Sequence, residues 1–380
     1  MNKYSLVKEN SKTYLEIDIG AIERNIRIIK EIVGADRKIL LAVKADGYGH
    51  GAIQISRFVE ESGLVDILGV ASHEEGIELR RAGISLPILV LGLILPYKEN
   101  IGTILDYDLT QTVADYPLSE QISKEAKSRN KSAKLHLKID TGMGRIGCKH
   151  ENSVMIAKSI NHLESIILEG VFSHLPVSDI IDSEFTINQI KIFNNIIKEL
   201  EIEKIDVKYK HIANSAAILN YPESLFNMAR PGIMAYGYYP VKNNNNKKID
   251  LTPSMSLKSY IIFSKRVKKG TSLSYGLTYT AERDSNIATI PIGYGCGYSR
   301  FLSNKGQIII NNKIYPVVGR VCMDQILINT GDDEYAPGEE VIVFGKEGIT
   351  VETLADWIGT IPYEIICSIS RNIKRKYLFP

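Results

Sequence analysis

The sequence predicts an α/β fold in which an N-terminal (β/α)8 TIM-type barrel precedes a mainly β C-terminal domain. Short apolar strands alternate with amphipathic helices between Ile39 and Gly237, and the segments that follow are rich in strand patterns. A polar stretch without periodicity, Asn243–Lys248, separates the two patterns and is typical of an exposed linker. We therefore predict two domains, residues 1–242 and residues 243–380.

Eight apolar runs in the first domain have the length and composition of buried parallel strands. Helical patterns or chain breakers lie between most of them, as a parallel barrel requires. The eighth strand is the least regular, because its connection from the seventh is short. The predicted strands are Ile39–Val43, Ile67–Ala71, Ile88–Gly92, Leu109–Val113, Leu135–Ile139, Leu168–Phe172, Lys210–Ala213 and Met228–Tyr236. The predicted helices are Ala52–Ser62, His73–Ala82, Ser119–Asn130, Asn152–Asn161 and Thr186–Leu200.

The second domain is predicted to be all-β apart from one late helix, Thr350–Trp357. Turn residues such as Asn311–Asn312 and Gly331–Asp333 separate its strands. The predicted strands are Ser256–Arg266, Ile287–Pro291, Gln307–Ile310, Lys313–Val318, Gln325–Asn329 and Glu340–Phe344.

Composition excludes several classes of function. The net charge of +2 gives no reason to expect nucleic acid or an acidic membrane as a partner. The N-terminus has no apolar leader, and the longest apolar run, Leu86–Leu95, is too short to span a bilayer. No basic residue adjoins Cys322, which we interpret as a packed thiol. The scattered cysteines form no zinc-binding spacing and indicate reduced thiols in a cytoplasmic protein: Cys148, Cys296, Cys322 and Cys367.

The segment Leu41–His50 is the most informative part of the chain. Its lysine, Lys44, ends an apolar strand and precedes a glycine-rich turn. Because barrel active sites lie at the C-terminal ends of the strands, Lys44 is placed where a Schiff-base lysine would act. The structural alternative is a surface lysine that follows a buried strand.

Other polar residues follow the predicted barrel strands at the same end. Loops after strands seven and eight often bind phosphate in such barrels. Ser215 offers a hydroxyl there, and Gly232 allows close approach of backbone N–H groups. A phosphate site beside a strand-end lysine suggests pyridoxal phosphate. The candidate residues are Lys44, Lys138, Arg145, His174, Asn214, Ser215, Arg230, Gly232 and Ile233.

These residues also have structural interpretations. Loops at a barrel rim are polar in any case. Ser215 could cap a helix that starts at Ala216, and Gly232 could relieve a turn. His174 could be a satisfied core histidine, and His211, inside strand seven, is assigned no direct chemistry.

Seven short motifs, taken together, resemble those of alanine racemases. Each motif alone is weak, but they occur in the order found in that family and cover nearly the whole chain. The first, Ala42–Gly51, resembles the cofactor-lysine signature. The others are Lys138–Gly147, Arg230–Ile233, Ser274–Gly276, Pro291–Tyr294, Val318–Asp324 and Tyr363–Glu364.

The resemblance implies a pyridoxal 5'-phosphate-dependent racemase that interconverts L-alanine and D-alanine and supplies D-alanine for peptidoglycan. It also implies a head-to-tail homodimer that acts on a small amino acid. Racemisation takes the α-proton from one face of a planar intermediate and returns it on the other, so one base per face is the simplest arrangement. By resemblance, Lys44 is one base and Tyr275, contributed by the second subunit, is the other.

The resemblance assigns further roles. Arg230 matches the residue that faces the pyridine nitrogen, and because arginine keeps its proton it would leave that nitrogen unprotonated and the cofactor a weaker electron sink. His174 and Arg230 match a hydrogen-bond chain that assists Tyr275. The positions that match phosphate contacts are Tyr48, Ser215, Gly232, Ile233 and Tyr363.

Two positions match substrate contacts, Arg145 through its side chain and Met323 through its amide. Lys138 matches a lysine that is often carbamylated and that orients the arginine at Arg145; an ordinary strand-end lysine is the alternative. Four further residues are expected to support the site: Asn214, Tyr294, Cys322 and Asp324.

The chain departs from the family pattern at Cys296, where an aspartate is usual, and at Pro176 and Val177, where small residues are common. These departures concern substrate preference rather than reaction class. A serine-specific or broad-specificity racemase is therefore the main alternative. Serine-preferring relatives tend to change the residue that matches Tyr363, so its retention favours alanine.

Three other functions are weighed against racemisation. An amino-acid decarboxylase of the same fold would be expected to place an acidic residue where Arg230 lies. A non-catalytic pyridoxal phosphate carrier resembles the barrel alone and would have no use for Tyr275. A barrel without chemistry would bind no cofactor and show no yellow chromophore.

Overall fold

The structure is a computed structural model that describes residues 12–240 and 249–380 and divides the chain into two compact units. Among the described residues, the barrel unit comprises residues 22–47, 51–240 and 249–252, and the β unit comprises residues 12–21, 48–50 and 253–380. The predicted linker Asn243–Lys248 and the predicted boundary at residue 242 lie outside the described residues, so the boundary stays a prediction.

The first described strand, β1 (Thr13–Asp18), belongs to the β unit, and the barrel follows it. The predicted barrel is confirmed: eight parallel strands lie side by side, and hydrogen bonds from Asn227 N to Lys210 O (3.3 Å) and from Arg230 N to Ala213 O (3.0 Å) join the last two. The strands are β2 (Lys38–Ala42), β3 (Ile67–Val70), β4 (Ile88–Val90), β5 (Thr110–Val113), β6 (Ala133–Asp140), β8 (Ile166–Phe172), β9 (Tyr209–His211) and β10 (Met228–Ala229), with a short β7 (Cys148–Lys149) beside β6.

Amphipathic helices cover the barrel strands, and their ends follow from local sequence. Gly63 ends one helix in a left-handed conformation that costs glycine little, and the Asp115 side chain accepts the backbone N–H of Leu118 at the start of another. The helical segments of this unit are α1 (Ile19–Val33), α2 (Lys44–Tyr48, a left-handed turn), α3 (Ala52–Ser62), α4 (His73–Arg81), α5 (Lys98–Asp106), α6 (Tyr116–Ser128), α7 (Ser153–Asn161), α8 (Glu184–Ile202) and α9 (Ser215–Asn220).

One barrel strand differs from its prediction. The sequence pattern predicts a strand over Met228–Tyr236, whereas the strand ends at Ala229 and a 3₁₀ helix spans Ile233–Tyr236. Pro231 has no N–H to donate to a neighbouring strand, so pairing stops before it. The apolar residues beyond it are buried in the 3₁₀ helix instead.

The β unit contains a nine-stranded, mostly antiparallel sheet in which β1 lies between β11 and β20. The sequence pattern predicts no strand at β1, and it predicts one strand over Ser256–Arg266 where two form. The other eight strands of this sheet are β11 (Met255–Tyr260), β12 (Phe263–Val267), β15 (Ser285–Ile290), β16 (Gln307–Ile310), β17 (Lys313–Val318), β18 (Ile326–Gly331), β19 (Glu340–Phe344) and β20 (Lys374–Leu378). A separate two-stranded hairpin consists of β13 (Ser272–Leu273) and β14 (Tyr279–Thr280).

The predicted late helix is α10 (Val351–Ile358), and Thr350 caps it in a capping box with Thr353. A second helix, α11 (Pro362–Ser368), follows it, with proline at its first position where no N–H is needed. Across residues 12–240 and 249–380, no helix is long and apolar enough to cross a membrane.

We predict that Asn25 is a main polar anchor of the barrel unit. Its fully buried amide donates to Thr252 O (2.9 Å) and Ala235 O (3.3 Å) and accepts from Thr252 N (2.9 Å). Asn25→Leu leaves buried backbone groups unsatisfied and should lower the free energy of unfolding by about 2–3 kcal/mol in urea titrations. Asn161→Leu, at the exposed end of α7, is the matched control. Equal stability of the two variants would contradict the assignment.

Candidate active site

Lys44 lies where β2 gives way to a left-handed turn. Ala45, Asp46 and Gly47 have φ angles of 51°, 56° and 62° with ψ near those of a left-handed helix, and Tyr48 follows at φ 53°. Each non-glycine residue in this conformation costs about 1–2 kcal/mol. Strain of this kind is maintained where the surrounding structure fixes it, which is common at functional sites.

Hydrogen bonds at both ends fix the turn. Val43 O accepts from Gly47 N (2.7 Å), and the Asp46 carboxylate accepts from Ala52 N (2.9 Å). Glu75 in α4 accepts from Ala45 N (2.8 Å) through one oxygen and from Ala71 N, after β3, through the other. The turn that carries Lys44 is therefore connected to the end of the neighbouring strand.

Backbone contacts bring the strand ends of the barrel together. Ala42 N, at the end of β2, donates to Pro231 O (3.0 Å), and Gly232 N donates to the hydroxyl of Ser215 (2.9 Å). Lys44, Ser215, Arg230, Gly232 and Ile233 consequently belong to adjacent strand ends, as the sequence pattern predicts.

The helix cap at this position differs from the sequence-based interpretation. α9 starts at Ser215, and Asn214 is its N-cap, with its side-chain oxygen accepting from Ala217 N (3.0 Å). The Asn214 amide also donates to Leu175 O (3.1 Å), and Ser178 donates to its oxygen (2.9 Å). Asn214, and not Ser215, therefore caps α9, and it also fixes the loop after β8.

Arg230 is buried among hydrogen-bond acceptors. Its guanidinium donates to Ser173 O (2.7 Å), Ile212 O (3.0 Å) and His211 Nδ1 (2.7 Å). Burial lowers the pKa of Arg230, but acceptors on every side hold the protonated form, and arginine stays protonated in proteins. A guanidinium has five N–H donors, so these contacts leave donors for a bound ligand.

His174 lies among positive charges. Its Nδ1 is 3.5 Å from an Arg230 nitrogen, at the limit of a hydrogen bond. Burial and the charges of Arg230, Lys138, Arg145 and Lys44 hold the pKa of His174 well below its usual range. His174 is therefore a neutral imidazole, and the cations around it favour an anionic ligand at this end of the barrel.

Lys138 points from β6 into the buried site. Its Nζ lies 4.2 Å from the centre of the Phe172 ring, and the Arg230 guanidinium carbon lies 5.4 Å from the same ring. Burial, then the charges of Arg230 and Arg145, lower the pKa of Lys138 well below its ordinary value. Its amine is consequently a better nucleophile than that of an exposed lysine.

Arg145 is exposed on the loop that follows β6. Asp140 orders this loop, because its carboxylate accepts from Gly142 N (2.9 Å) and Gly144 N (3.0 Å). Gly147 also approaches Asp140 so closely that a Cβ there would lie 2.7 Å from its backbone nitrogen. The loop is thus held at the end of β6, where Arg145 accompanies Lys138.

The β unit gathers three predicted residues, Tyr275, Tyr294 and Met323, on one surface with the exposed Leu277, and we term these four residues the tyrosine cluster. Gly295 N donates to Met323 O (2.9 Å), Tyr294 N donates to Cys322 O (3.1 Å), and Ser274 donates to Arg320 O (2.7 Å). Asp324 lies beside the same turns. The Tyr275 side chain is 72% exposed and Met323 is 55% exposed.

Close packing of backbone holds the tyrosine cluster together. A Cβ at Gly293 would lie 2.2 Å from Cys322 O, so only glycine fits between these turns. Cys322 is half-buried, and its Sγ lies 3.8 Å from the Ser274 hydroxyl, which agrees with a packed thiol. Cys296, which follows Tyr294 in the same turn, is half-buried as well.

Tyr48 and Tyr363 lie together in the β unit, with ring centres 6.1 Å apart. Burial raises the pKa of Tyr48, which keeps its phenol protonated and able to donate to an anion. The segment that carries Tyr48 is fixed by Arg375, which donates to Gly49 O (2.9 Å), and by the close approach of Gly49 to Ile366 O.

Two further positions that depart from the family pattern, Pro176 and Val177, lie in the loop after β8. Pro176 is exposed and Val177 is half-buried.

The sequence pattern gives His211 no direct chemistry, yet this residue contacts Arg230 directly. His136 and Glu169 lie behind His211, and the sequence pattern assigns them no role. The only available signal is their position, because a polar side chain that faces inward from an apolar strand needs a buried partner.

Comparison with known proteins identifies the relationships of the chain. Residues 17–240 match the family model "Alanine racemase, N-terminal domain" and residues 254–377 match "Alanine racemase, C-terminal domain". An alanine racemase of Desulforamulus reducens is 42% identical over 367 residues, 96% of this chain and 98% of that protein.

Solved structures give the same result. The alanine racemase of Clostridium difficile 630 superposes with a TM-score of 0.93 at 39% identity and covers 98% of this chain and 97% of its own. The alanine racemase of Bartonella henselae, described with covalently bound pyridoxal phosphate, has a TM-score of 0.86 at 25% identity, with 97% and 100% coverage.

We predict opposite effects of glycine in the left-handed turn and in the helix that follows. Ala45→Gly relieves an unfavourable φ of 51°, and this gain offsets the extra entropy of the unfolded chain, so stability should stay the same or rise by up to about 1 kcal/mol. Ala52→Gly, at the start of right-handed α3, should destabilise by about 1 kcal/mol. Equal losses in urea unfolding would argue against strain in the turn.

Proposed function

Because this chain belongs to the alanine racemase family, we propose that it is a pyridoxal 5'-phosphate-dependent isomerase that interconverts L-alanine and D-alanine. The observation that carries this proposal is the convergence of Lys44, Ser215 and Arg230 at adjacent strand ends of the barrel. Supply of D-alanine for peptidoglycan in the cytoplasm is part of the proposal, and four free cysteines support a reducing compartment.

The residues present fit the cofactor. The charges that act most strongly on His174 are positive, as a phosphate and a substrate carboxylate require. Lys44 would hold the aldehyde carbon, Arg230 would donate to the pyridine nitrogen, and Ser215, Gly232 and Ile233 would surround the phosphate, with Tyr48 and Tyr363 as phenol donors. When bound, the cofactor makes the α-proton of an amino acid acidic by withdrawing electrons from Cα.

The protein must then move one proton between two faces of Cα. We assign the face on one side to Nζ of Lys44 and the opposite face to the phenol oxygen of Tyr275. Tyrosine has an ordinary pKa of about 10, so it needs help to act as a base near neutral pH. Arg230 faces Nδ1 of the neutral His174 and can only donate, so the proton of His174 lies on Nε2, which is able to donate a hydrogen bond to the phenol oxygen of Tyr275.

A second copy of the chain supplies Tyr275 in this proposal. The tyrosine cluster exposes large apolar and aromatic side chains, which commonly mark a protein interface. The loops after β4 and β5, at the catalytic end of the barrel, are also apolar and exposed at Leu95, Tyr97 and Tyr116. A head-to-tail homodimer would cover both surfaces and bring Tyr275 and Met323 of one chain to the barrel of the other.

Arg230 has the role of keeping its own proton. Since its acceptors hold it protonated, it would donate to the pyridine nitrogen without releasing a proton to it. A weaker electron sink follows, which favours return of the proton to Cα over transamination or decarboxylation. This argument weighs against the decarboxylase alternative.

Arg145 would bind the substrate carboxylate, and Lys138 would orient it after reaction with carbon dioxide. In that reaction the lone pair of the neutral amine forms an N–C bond, one C=O π bond of carbon dioxide becomes a C–O⁻ single bond, and the nitrogen releases a proton to solvent water, which leaves a carbamate. The depressed pKa of buried Lys138 supplies the neutral amine, and the charges of Arg145 and Arg230 would stabilise the carbamate.

Alanine is the substrate we propose, and serine or broader specificity is the second candidate. Retention of Tyr363 favours alanine, whereas Cys296, Pro176 and Val177 are the positions most able to change preference. A non-catalytic carrier is disfavoured, because the chain matches the C-terminal family model as well as the barrel.

The direct test measures D-alanine formed from L-alanine, with serine and other L-amino acids in parallel. We expect a higher kcat/KM for alanine than for serine, and loss of activity in Lys44→Arg, which keeps the positive charge but cannot form the covalent bond to the cofactor or take up a proton as a base. Cofactor-loaded protein that racemises serine and not alanine would favour the second candidate. No racemisation of any amino acid would reject the function.

Removal of one base should make proton exchange asymmetric. In Tyr275→Phe, loss of the α-deuteron from D-alanine, assigned to Lys44, should survive better than loss from L-alanine. Racemisation needs both faces and should fall by about 10²–10⁴-fold. Tyr279→Phe removes a hydroxyl in the same hairpin, where it accepts from Asn329, and is the matched control. Equal and small effects on both enantiomers would instead favour a single base.

A further inference from the structure

A row of buried side chains continues from Arg230 into the barrel. Arg230 Nη1 lies 2.7 Å from His211 Nδ1, and His211 Nε2 lies 2.9 Å from His136 Nδ1. His136 Nε2 faces a carboxylate oxygen of Glu169 at 3.6 Å. The two histidines are fully buried, and Glu169 is 16% exposed. We term these four residues the Arg–His–His–Glu chain.

Local departures from regular strand pairing create this chain. Leu135 pairs with Leu168, but His136 pairs with Gly170, so Glu169 is an extra residue in β8 at a β-bulge. A bulge of this kind re-aims a side chain, and it turns Glu169 towards His136. Gly170 has no side chain, and a Cβ there would lie 2.6 Å from the His136 ring. His136 and His211 therefore meet across β8.

The direction of each hydrogen bond in the Arg–His–His–Glu chain follows from the chemistry of its two end residues, Arg230 and Glu169. Arginine only donates, so His211 Nδ1 must accept and its proton must lie on Nε2. That proton is donated to His136 Nδ1, so the proton of His136 must also lie on Nε2. This N–H has no hydrogen-bond partner within the described residues, and 3.6 Å exceeds a hydrogen bond. Since buried N–H groups need a partner, the Glu169 carboxylate is the acceptor it faces.

Charges around the chain agree with these hydrogen-bond directions. Burial and Arg230 hold the pKa of His211 well below its usual range, and burial lowers the pKa of His136. Burial alone would raise the pKa of Glu169, but His136 and the nearby Lys208 lower it overall, so the carboxylate is charged. Both histidines are thus neutral between a cation and an anion.

We propose that Glu169 and His136 are positioning residues for Arg230, and that the Arg–His–His–Glu chain locks both histidines as Nε2–H tautomers. The inference rests on the proposed function for its catalytic meaning, since Arg230 is assigned to the pyridine nitrogen. Because Arg230 can only donate, the Arg–His–His–Glu chain cannot deliver a proton to it. Its effect is to hold the guanidinium in one orientation, with His211 stacked on Phe172 at 4.8 Å and 4°.

The tautomers are measured by two-bond ¹⁵N–¹H correlation spectra of histidine-labelled, full-length protein as purified. The chain has seven histidines, so His136 and His211 are assignable by single substitutions. We expect both to be neutral with the proton on Nε2. A proton on Nδ1 of His211, or a protonated ring, would overturn the proposal.

Substitution of Glu169 tests the end of the Arg–His–His–Glu chain that lies away from Arg230. Glu169→Gln keeps an oxygen acceptor and should leave the Nε2–H proton of His136 shifted downfield and slow to exchange. Glu169→Leu removes the acceptor and should move that proton upfield and speed its exchange, while His211, whose Nδ1 still accepts from Arg230, keeps its Nε2–H tautomer. Thr112→Val is the matched control, because buried Thr112 is the register partner of His136 on β5 but does not belong to the Arg–His–His–Glu chain. An unchanged His136 Nε2–H resonance and exchange rate in folded Glu169→Leu would overturn the proposal.

A second pair of variants keeps the test decisive if Glu169→Leu does not fold. In His136→Asn the amide oxygen replaces Nδ1 as acceptor, so the Nε2–H proton of His211 should stay shifted downfield, and in His136→Leu it should move upfield, while Arg230 keeps the proton of His211 on Nε2 in both variants. The same His211 Nε2–H chemical shift in both variants would overturn the proposal.

Activity provides the second measurement. Glu169→Leu should lower kcat on the order of tenfold, as for hydrogen-bonding partners behind an active-site ligand, while Glu169→Gln and Thr112→Val stay within about twofold. An altered His136 Nε2–H resonance with unchanged kcat would reject the positioning role. The spectra do not depend on turnover, so a protein without racemase activity would fail the proposed function and still report on the lock.

Discussion

The buried charge of Arg230 is the constraint on which the barrel site depends. An isolated buried cation is costly, and this one is tolerated because carbonyl oxygens at the ends of β8 and β9 and a neutral histidine accept its N–H groups. Those acceptors converge only if the strands end together and at the right register. The barrel therefore fixes the orientation of the guanidinium, and the guanidinium in turn fixes the tautomers of the residues behind it.

A second constraint acts where the lysine leaves β2. The left-handed turn after Lys44 is unfavourable for Ala45 and Asp46, and hydrogen bonds accepted by Val43 O and by the Glu75 and Asp46 carboxylates hold it in place. Such a turn removes the conformational freedom that a lysine at an ordinary strand end would have. The strained turn lowers the stability of the fold, but it fixes the position of the Lys44 amine relative to the neighbouring strand ends.

Prediction from sequence succeeded where the signal is local. Apolar runs located seven barrel strands to within a few residues, and the polar residues that follow them proved to lie at adjacent strand ends. The left-handed turn and the bulge at Glu169 depend on contacts far along the chain, so no local pattern reveals them. The strand β1 was missed for the same reason, because its partners β11 and β20 lie more than 200 residues away.

The histidines show the same limit for function. A histidine inside an apolar strand predicts only that it needs a buried partner, and the sequence does not say which one. His211 accepts a hydrogen bond from Arg230, and His136 reaches His211 only because Gly170, which lies between them, has no side chain. The resemblance to a family supplied catalytic roles for Lys44 and Tyr275, whereas the residues behind them required the three-dimensional arrangement.

We propose that each active site takes Lys44 from one chain and Tyr275 from another, and hybrid dimers test this arrangement most directly. Lys44→Ala and Tyr275→Phe chains are mixed under conditions that allow subunits to exchange, and racemisation is measured. Each hybrid dimer then contains one site with both defects and one with neither, so random pairing should restore about a quarter of wild-type activity. No recovery in a mixture with verified hybrid dimers would mean that both residues act within one chain, and would contradict the account.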